Sequence, residues 1–514
     1  MRDARQALGL ADRPDERRRG LLAASPGLLL SVGVRSSQAQ GATVFRLGIA
    51  SGQPRPDRVV LWTRLVGEAL PAEVPVRWEI ALDEQFRRIA AHGVEVAMAQ
   101  WAHTVHAEPS GLAPDRWYWY RFTAAGERSV VGRTRTAPAP DQRGHVAFAI
   151  ASCQRFDTGF YAAWKAMARE SLDLVIFLGD YIYEYATRED AVRPVPGGVV
   201  STLDQYRDRY ATHKSDLALQ QAHAAFPWLI IWDDHEVDND YAALQGATLK
   251  PDFKAQRAAA YQAWWEHMPL PKSARPMGPD LRMFGHLDWG TLARIHLLDS
   301  RQYRDPQVCP RPGMGGSNVV TKSACPALFN PERSLLGAQQ ERWLAANWTT
   351  ERPWNLLAQS TLMARMSWSD PKDGPFWTDG WDGYPLARKR LLRTVERRRI
   401  PGVVVLGGDV HAHYVADLRS DFDDKGSPVV ATEFCGTSIS SPGLDQSRID
   451  AAVRTNPHIH HARSDRRGYT AFDLDQNRLR ARLMTVTDVR DEDSEVSADA
   501  QYVVLSRNPG AVRA

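Results

Sequence analysis

Seven side chains in this sequence are of types that bind metal ions, and they come in short clusters separated by long stretches. They are Cys153, Asp180, Tyr183, Asp234, Asn239, Asp409 and His411. Thiolate, phenolate and imidazole suit a transition metal such as iron, whereas carboxylate and amide oxygens suit a hard cation such as calcium or magnesium. A carboxylate that bridges two metal ions serves in-line attack on phosphorus. The residue types therefore indicate a mixed-metal site, with Asp180 as its natural bridge.

The elements that must position these side chains are short apolar runs, each of which ends in a polar group. Val175–Leu178 is such a run, and Gly179 and Asp180 follow it. An unbroken apolar run of this length is typical of a strand buried on both faces in a parallel sheet. Five more runs show the pattern: His145–Ala151, Trp228–Trp232, Leu292–Leu298, Leu356–Leu357 and Val403–Leu406. Ligands bind just past the carboxyl ends of such strands, so the runs predict one site at one sheet edge.

The runs that precede Cys153 and Asp180 predict a strand–helix–strand unit. Between them, Phe160–Glu170 carries apolar residues at helical spacing. Two strands joined in this way run parallel through a right-handed crossover, so their carboxyl ends lie together. We therefore expect Cys153 beside Asp180, and we assign residues 145–514 to an α/β catalytic domain.

A β-rich pattern precedes this domain over residues 44–138. Val76–Leu82 alternates apolar and polar residues, as a half-buried strand does. The spacing from Leu112 through Pro114 to Tyr118 resembles the tyrosine corner of β-sandwiches, in which the hydroxyl bonds back to the upstream backbone. We predict an immunoglobulin/fibronectin-like β-sandwich with a packing or spacer role.

Residues 1–39 have the layout of a signal peptide. Arg17–Arg19 precede a modest apolar stretch, Leu21–Val34, and small residues follow at Ser37–Ala39. Paired arginines in this position indicate the twin-arginine pathway, whose substrates cross the membrane already folded. We predict the twin-arginine translocase as a partner during export and a periplasmic or extracellular location. A disordered basic tail is the alternative.

The charge balance of the chain excludes several kinds of partner. The net charge is +3, and residues 1–39 hold seven arginines against four acids, so the remainder is balanced. A balanced chain has no basic surplus for specific nucleic-acid binding and no polybasic membrane patch. No apolar run is long enough for a transmembrane segment.

The four cysteines fall into two groups. Cys309 and Cys325 flank a loop rich in glycine and proline, and in an exported chain they are natural disulfide partners. Closing a loop of that size would add ~3 kcal/mol of stability in the chain-entropy model. We predict that Cys435 is buried and inert. Cys153 stands at a strand end beside carboxylates, so we predict that it is a metal ligand.

Six motifs, in this order, resemble the PhoD family of alkaline phosphatases and phosphodiesterases. They are Phe45–Leu65, Ser152–Gln154, Gly179–Tyr183, Trp232–Glu236, Leu298–Arg304 and Gly408–His411, and they extend over nearly the whole chain. The family belongs with the calcineurin-like and purple-acid-type metallophosphoesterases. The resemblance implies their two-sheet α/β sandwich core here, preceded by the β-sandwich.

The resemblance also implies a ferric ion, Fe3+, together with one or two Ca2+. The implied iron ligands are Cys153, Asp180, Tyr183 and His411. The implied calcium ligands are Asp180, Asp409 and a group from Asp234–Asp240. Asn239 is the first choice in that group, and Asp234 and Asp240 are also plausible. Metallophosphoesterases usually carry Gly-Asn-His-Glu and Gly-His-x-His where this chain has more oxygen and less nitrogen, which fits a hard second cation.

The expected reaction is hydrolysis of phosphomonoesters, phosphodiesters or both. The metal ions would lower the pKa of a bound water, and the resulting hydroxide would attack opposite the leaving alkoxide. The residues expected to act are Asp180, Asp234, His235 and Arg301. His235 would protonate the leaving group, orient the aspartates or serve as a hydrogen-bonded support. Arg301 would either clamp phosphate or pair with an acid.

Two alternatives to this function remain open from the sequence. The first is a phospholipase D-type phosphodiesterase that acts on phospholipids, as relatives of the resembled family do, although no amphipathic membrane-binding helix is evident. The second is a non-catalytic surface binding protein with a degenerate enzyme domain. The ligand types are intact at every motif, which argues against the second.

Overall fold

The computed structural model describes residues 44–370 and 372–514. The predicted signal peptide, residues 1–39, lies outside the described residues. Within the described part of the chain, no helix is long and apolar enough to cross a membrane.

The described chain contains 24 strands, seven α-helices and short 3-10 turns. The first strands are β1 (Ile49–Gly52), β2 (Val60–Arg64), β3 (Glu73–Ala81), β4 (Ile89–Met98), β5 (Thr104–Ala107), β6 (Trp117–Ala124), β7 (Glu127–Arg128) and β8 (Gly132–Arg135). The central strands are β9 (Val146–Ala151), β10 (Leu174–Phe177), β11 (Pro227–Ile230), β12 (Gly285–Trp289), β13 (Ala293–Leu297), β14 (Val319–Val320), β15 (Trp354–Ala358), β16 (Phe376–Trp377), β17 (Val403–Gly407), β18 (His413–Arg419), β19 (Val429–Cys435) and β20 (Ile459–Arg463). The last strands are β21 (Arg467–Leu474), β22 (Arg478–Val486), β23 (Val496–Leu505) and β24 (Asn508–Arg513). The helices are α1 (Ala162–Met167), α2 (Leu203–Lys214), α3 (Leu217–Ala225), α4 (Phe253–His267), α5 (Gly337–Asn347), α6 (Pro385–Arg398) and α7 (Gln446–Val453).

Two large mixed sheets pack face to face and form the core. One sheet has ten strands in the order β24-β23-β22-β21-β9-β10-β11-β1-β2-β5, and the other has seven in the order β12-β13-β15-β17-β19-β18-β20. Their facing side chains belong to one apolar cluster, in which Phe434 packs edge-on against Phe472 with ring centroids 5.4 Å apart. Helices α1 to α4 add buried side chains to this cluster, while α5 and α6 belong to a second cluster on the seven-stranded sheet. The predicted two-sheet α/β sandwich is confirmed.

All six apolar runs are strands, but they are divided between the two sheets. In the ten-stranded sheet β9, β10 and β11 are parallel, as predicted for the strand–helix–strand unit. In the seven-stranded sheet β13, β15 and β17 are parallel. The prediction of a single sheet edge is therefore wrong in detail. Each run fits a strand buried on both faces, and sequence alone does not say which sheet a strand joins.

Residues 44–138 form a β-sandwich of which one layer is shared. Strands β3, β4, β6, β7 and β8 form a separate sheet, whereas β1, β2 and β5 extend the ten-stranded sheet through parallel pairing of β1 with β11. The two layers enclose a common apolar cluster. The Tyr118 hydroxyl lies 2.8 Å from the amide nitrogen of Ala113, which is the predicted bond to the upstream backbone. The immunoglobulin-like classification and the division into domains at residues 138–145 stay predictions.

The predicted disulfide joins Cys309 and Cys325, which are 16 residues apart in sequence. Cys435 is buried and unbridged, as predicted, and Cys153 is the other free thiol. Because Asp240 accepts a hydrogen bond of 3.0 Å from the amide of Ser317, the disulfide loop is attached directly to the group of predicted calcium ligands.

We expect that replacing both bridged cysteines, by Cys309→Ser with Cys325→Ser, lowers the free energy of unfolding by about 3 kcal/mol, since closing a loop of this size restricts the unfolded chain. The measurement is equilibrium denaturation with urea. Arg311→Ala, at an exposed position in the same loop, is the matched control and should change stability little. A double variant as stable as the parent would contradict the prediction.

Candidate metal centre

Four predicted ligands from separate parts of the chain lie together. The donor atoms of Cys153, Asp180 and His411 lie within 4.8 Å of one another. The Tyr183 hydroxyl joins them, 2.9 Å from Asp180 Oδ2 and 3.2 Å from His411 Nε2. Parallel pairing of β9 with β10 continues past the strand ends, since the Cys153 amide donates to Gly179 O at 3.0 Å. The structure thus assembles the thiol, carboxyl, phenol and imidazole expected for iron.

The backbone at this centre has an uncommon conformation. Positive φ angles occur at Cys153 (58°), Asp180 (60°), Asp240 (56°), Asp409 (67°) and His411 (52°). Residues other than glycine rarely adopt this left-handed region, and when they do the strain concentrates at functional sites. Sharp turns directly after the strands are therefore part of how these side chains are brought together.

Gly179, between β10 and Asp180, is required by its surroundings. Its φ is +113°, and a Cβ at this position would lie 2.6 Å from the Asp233 amide nitrogen. The loops after β10 and β11 can approach this closely only because residue 179 has no side chain.

Glu236 ties the same two loops together through the backbone. Its carboxylate accepts hydrogen bonds from the amides of Asp233 at 2.8 Å, Asp180 at 3.1 Å and Tyr181 at 2.5 Å. Burial raises the pKa of Glu236 to about 7, although these amide donors oppose the shift. Glu236 therefore positions Asp180. The sequence showed only that Glu236 belongs to the motif Trp232–Glu236.

The loop around Ser441 contacts three of the predicted iron ligands, His411, Tyr183 and Cys153. His411 Nδ1 lies 2.8 Å from Pro442 O, so Nδ1 carries the proton and Nε2 is left to face Tyr183. Ser441 Oγ lies 2.8 Å from the Tyr183 hydroxyl and 2.8 Å from Cys153 O. Burial lowers the pKa of His411 to about 3, which keeps the imidazole neutral, as a metal ligand must be.

The oxygen ligands predicted for calcium lie beside Asp180. Asp180, Asp234 and His235 have donor atoms within 4.8 Å of one another. Asp409 and Asn239 line the same cavity as Asp234 and His411. Thr361 Oγ1 donates to Asp409 Oδ2 at 2.7 Å, and the Tyr185 hydroxyl donates to Asn239 Oδ1 at 2.7 Å. The choice among Asp234, Asn239 and Asp240 as calcium ligands stays a prediction.

The electrostatics of these buried acids favour bound cations. Burial raises the pKa of Asp180 well above its usual value, and repulsion from Asp234 and Asp233 adds to the shift, although His235 opposes it. Burial, followed by repulsion from Asp233 and Asp234, raises the pKa of Asp409 as well. Among the described residues, Asp180 Oδ1 is buried without a hydrogen-bond partner. A metal ion satisfies such an oxygen and offsets the repulsion, so these residues fit the implied metals.

His235 is held by a residue that the sequence did not single out. Its Nδ1 lies 2.7 Å from Glu184 Oε2, and Glu184 Oε1 accepts from the Asn239 amide at 2.8 Å. Burial disfavours the imidazolium, but Glu184, Asp234 and Asp180 together raise the pKa of His235 well above its usual value. This shift favours the imidazolium form of His235, and its Nδ1 is committed to Glu184.

Arg301 is buried among acids. Its Nε donates to Asp233, Nη1 donates to Asp379 Oδ1 at 3.0 Å, and Nη2 lies 3.6 Å from Asp234 Oδ1. Of the two roles predicted for Arg301, this geometry favours the ion pair over the phosphate clamp. Arg304 behaves similarly, with Nη1 3.2 Å from Asp379.

Asp379 is the acid that sequence reasoning missed. Its donor atoms lie within 4.8 Å of those of Asp234 and Asp240, and Gln307 Nε2 donates to it at 2.6 Å. It follows a strand of only two residues, β16, and no apolar run precedes it. The signal that located the other acids was therefore missing.

Comparisons with known proteins agree on one family. The model of the PhoD-like phosphatase family matches residues 148–483, and the model of its N-terminal domain matches residues 31–138. Alkaline phosphatase D from Bacillus subtilis (strain 168) is 40% identical over 511 residues, which cover 94% of this chain and 86% of that protein.

Solved structures agree as well. The structure of PhoD superposes with a TM-score of 0.85 at 40% identity and covers 91% of this chain and 92% of that one. A purple acid phosphatase from yellow lupin (Lupinus luteus) seeds has a TM-score of 0.53 at 11% identity and covers 89% of this chain and 74% of that one, which is a likeness of fold alone.

We expect Gly179→Ala to lower the free energy of unfolding by at least about 2 kcal/mol, because a Cβ there meets the Asp233 backbone and the positive φ is strained. Gly198→Ala is the matched control, since a Cβ at Gly198 meets no described atom within 4 Å. Thermal denaturation of both variants checks the prediction. Equal melting temperatures would refute it.

We expect Ser441→Ala to weaken binding of the predicted iron by roughly tenfold or more, as does the loss of other groups that orient metal ligands. The measurement is the iron content after dialysis against a graded chelator. Ser171→Ala, at an exposed position, is the control. Iron retention equal to that of the parent would show that Ser441 does not hold Tyr183 in place.

Proposed function

This chain belongs to the PhoD-like phosphatase family and is a phosphoric ester hydrolase, and we propose that it hydrolyses phosphomonoesters, phosphodiesters or both at a mixed iron–calcium site. The observation that carries the proposal is the position of Asp180. Its carboxylate lies both in the group with Cys153 and His411 and in the group with Asp234 and His235, as a carboxylate shared by two metals would.

The donor types on the two sides of Asp180 support different metals. Cys153, Tyr183 and His411 offer sulfur, phenol oxygen and nitrogen, which suit iron. On the other side, Asp234 and Asp409 offer oxygens, with Asn239 and Asp240 close by, which suit one or two Ca2+. When bound, the metals supply an activated water and offset the charge that builds on the phosphoryl group.

The protein's own groups prepare the site for in-line attack. Glu236 fixes Asp180 through the backbone, and Asp409 lines the same cavity as Asp234 and His411. His235 is held at Nδ1 by Glu184, which leaves Nε2 for an oxygen of the substrate. We assign His235 the transfer of a proton to the leaving alkoxide. Arg301 acts indirectly, because its donors hold Asp233 and Asp379.

Export is part of the proposal. A disulfide such as Cys309–Cys325 is typical of proteins that work in an oxidising compartment, which supports a periplasmic or extracellular location. The twin-arginine translocase as a partner stays a prediction.

Of the alternatives, phospholipids remain candidate substrates within phosphate-ester chemistry. The non-catalytic alternative is wrong, since the family and the assembled ligand set belong to an enzyme.

We expect calcium removal to abolish turnover of both p-nitrophenyl phosphate and bis(p-nitrophenyl) phosphate. Initial rates are measured with calcium and then with a calcium-selective chelator, on protein whose iron content is checked by elemental analysis. Readdition of calcium should restore both rates, and their ratio ranks monoester against diester. Full activity without calcium would overturn the mixed-metal proposal, and no turnover of either ester by iron-loaded, calcium-loaded protein would overturn the general phosphatase activity.

We also expect Asp409→Asn to lower turnover by about 100-fold or more, because a ligand carboxylate carries more of the metal's binding energy than the groups that orient it. Asp204→Asn is the matched control, since the Asp204 side chain is 89% exposed. Unchanged turnover in Asp409→Asn would remove this residue from the site.

A further inference from the structure

A cavity of about 560 Å3 contains two kinds of lining residue. One kind comes from the metal centre and includes Asp234, Asn239, Asp409 and His411. The other kind is apolar and includes Leu362, Met366, Trp368, Trp377 and Leu444, which we call the apolar trough. The chemistry of phosphoryl transfer uses only the first kind, so the apolar trough needs another explanation.

The apolar trough is held in shape by buried polar contacts. The carboxylate of Glu433 accepts the amides of Met363 and Ala364, each at 2.6 Å, and so fixes the segment that carries Leu362 and Met366. The amide of Met366 donates to Asp382 Oδ2 at 2.8 Å, and the amide of Ser367 donates to Asn456 Oδ1 at 3.1 Å. The side chains of Glu433, Asp382 and Asn456 thus fix this wall through its backbone, and such a wall is typical of pre-formed ligand pockets.

The apolar trough is also open to solvent. Trp368 and Trp377 are half-buried, and Leu444 is 43% exposed. Exposed apolar surface that is concentrated at one place marks a binding site, since covering it is favourable. The side chain of Arg448 lies beside the trough, with its guanidinium 5.5 Å from the Trp368 ring centroid.

We propose that the apolar trough binds an apolar ester group of the substrate, an alkyl or aryl group joined to the phosphoryl group through an ester oxygen. This inference rests on the proposed function and specifies its substrate class. One cavity holds both the metal centre and the trough, so the organic group of a substrate whose phosphoryl group lies at the metal centre would extend into the trough. The cavity's volume is also in the range of sites that enclose an organic ligand.

The test uses methylphosphonate, butylphosphonate and octylphosphonate, which are not hydrolysed. Each is titrated by calorimetry into the full chain loaded with its metals. The dissociation constant should fall by about fourfold for each added methylene until the trough is filled, since burying a methylene contributes ~0.8 kcal/mol. Phenylphosphonate is measured beside butylphosphonate to separate aryl from alkyl preference.

Two variants assign the effect to the trough. Trp377→Ala and Leu444→Ala should each weaken octylphosphonate binding, by on the order of tenfold for the tryptophan, while methylphosphonate binding changes much less. Trp101→Ala is the matched control, since Trp101 is also half-buried but packs on Trp265 and does not line the cavity. Leu444 is exposed, so its variant remains informative if Trp377→Ala fails to fold.

Dissociation constants that do not change with chain length would overturn the proposal, and so would a full chain-length effect in both trough variants. Turnover of p-nitrophenyl phosphate and its bis-ester is measured on the same preparations. Normal turnover without a chain-length effect refutes the trough alone. A chain-length effect without turnover of either ester refutes the proposed general activity and leaves the trough in place.

Discussion

The repulsion among buried carboxylates around Asp180 is the constraint on which the rest of the site depends. Burial raises the pKa of Asp180 and of Asp409, and repulsion from Asp233 and Asp234 adds to both shifts. Within the protein, His235 and Arg301 supply the nearby positive charge, and both are already paired with other acids, Glu184 and Asp233. Buried charges persist only when they are paired or coordinate a metal. Bound cations would therefore stabilise this arrangement.

The fold meets this constraint by converging two sheets on one point. Asp180 and Cys153 follow strands of the ten-stranded sheet, while Asp409 and His411 follow a strand of the seven-stranded sheet. The strained backbone at all four residues is held by what surrounds them, most directly by Glu236 and the Ser441 loop. Strain of this kind persists only where neighbouring structure over-determines it. The contacts of Glu236 and of the Ser441 loop thus hold the backbone of the site in the conformation that brings these four side chains together.

The cavity has an apolar wall beside this charged centre, and the two surfaces would bind different parts of the substrate. A phosphoryl group is common to all substrates of such an enzyme, so the metal ligands alone give little selectivity among them. The trough that contains Trp368 and Trp377 contacts what differs between substrates, the organic group. Rates and affinities that depend on that group would come from apolar burial, which scales with area and needs no precise orientation.

The sequence by itself determined the ligand types, the strands that carry them and the disulfide partners. These features are local. An apolar run that ends in Asp180 or Asp409 is recognisable from a short stretch of sequence, and so is a pair of cysteines that flank a loop rich in glycine and proline. Tertiary structure alone decided the rest. Asp379 lies in a loop without periodicity, and Ser441 and Glu184 act through contacts with residues more than fifty positions away. The assignment of strands to two sheets, the raised pKa of His235 and the apolar trough likewise arise from side chains that meet only after folding, because burial and proximity are properties of three-dimensional packing.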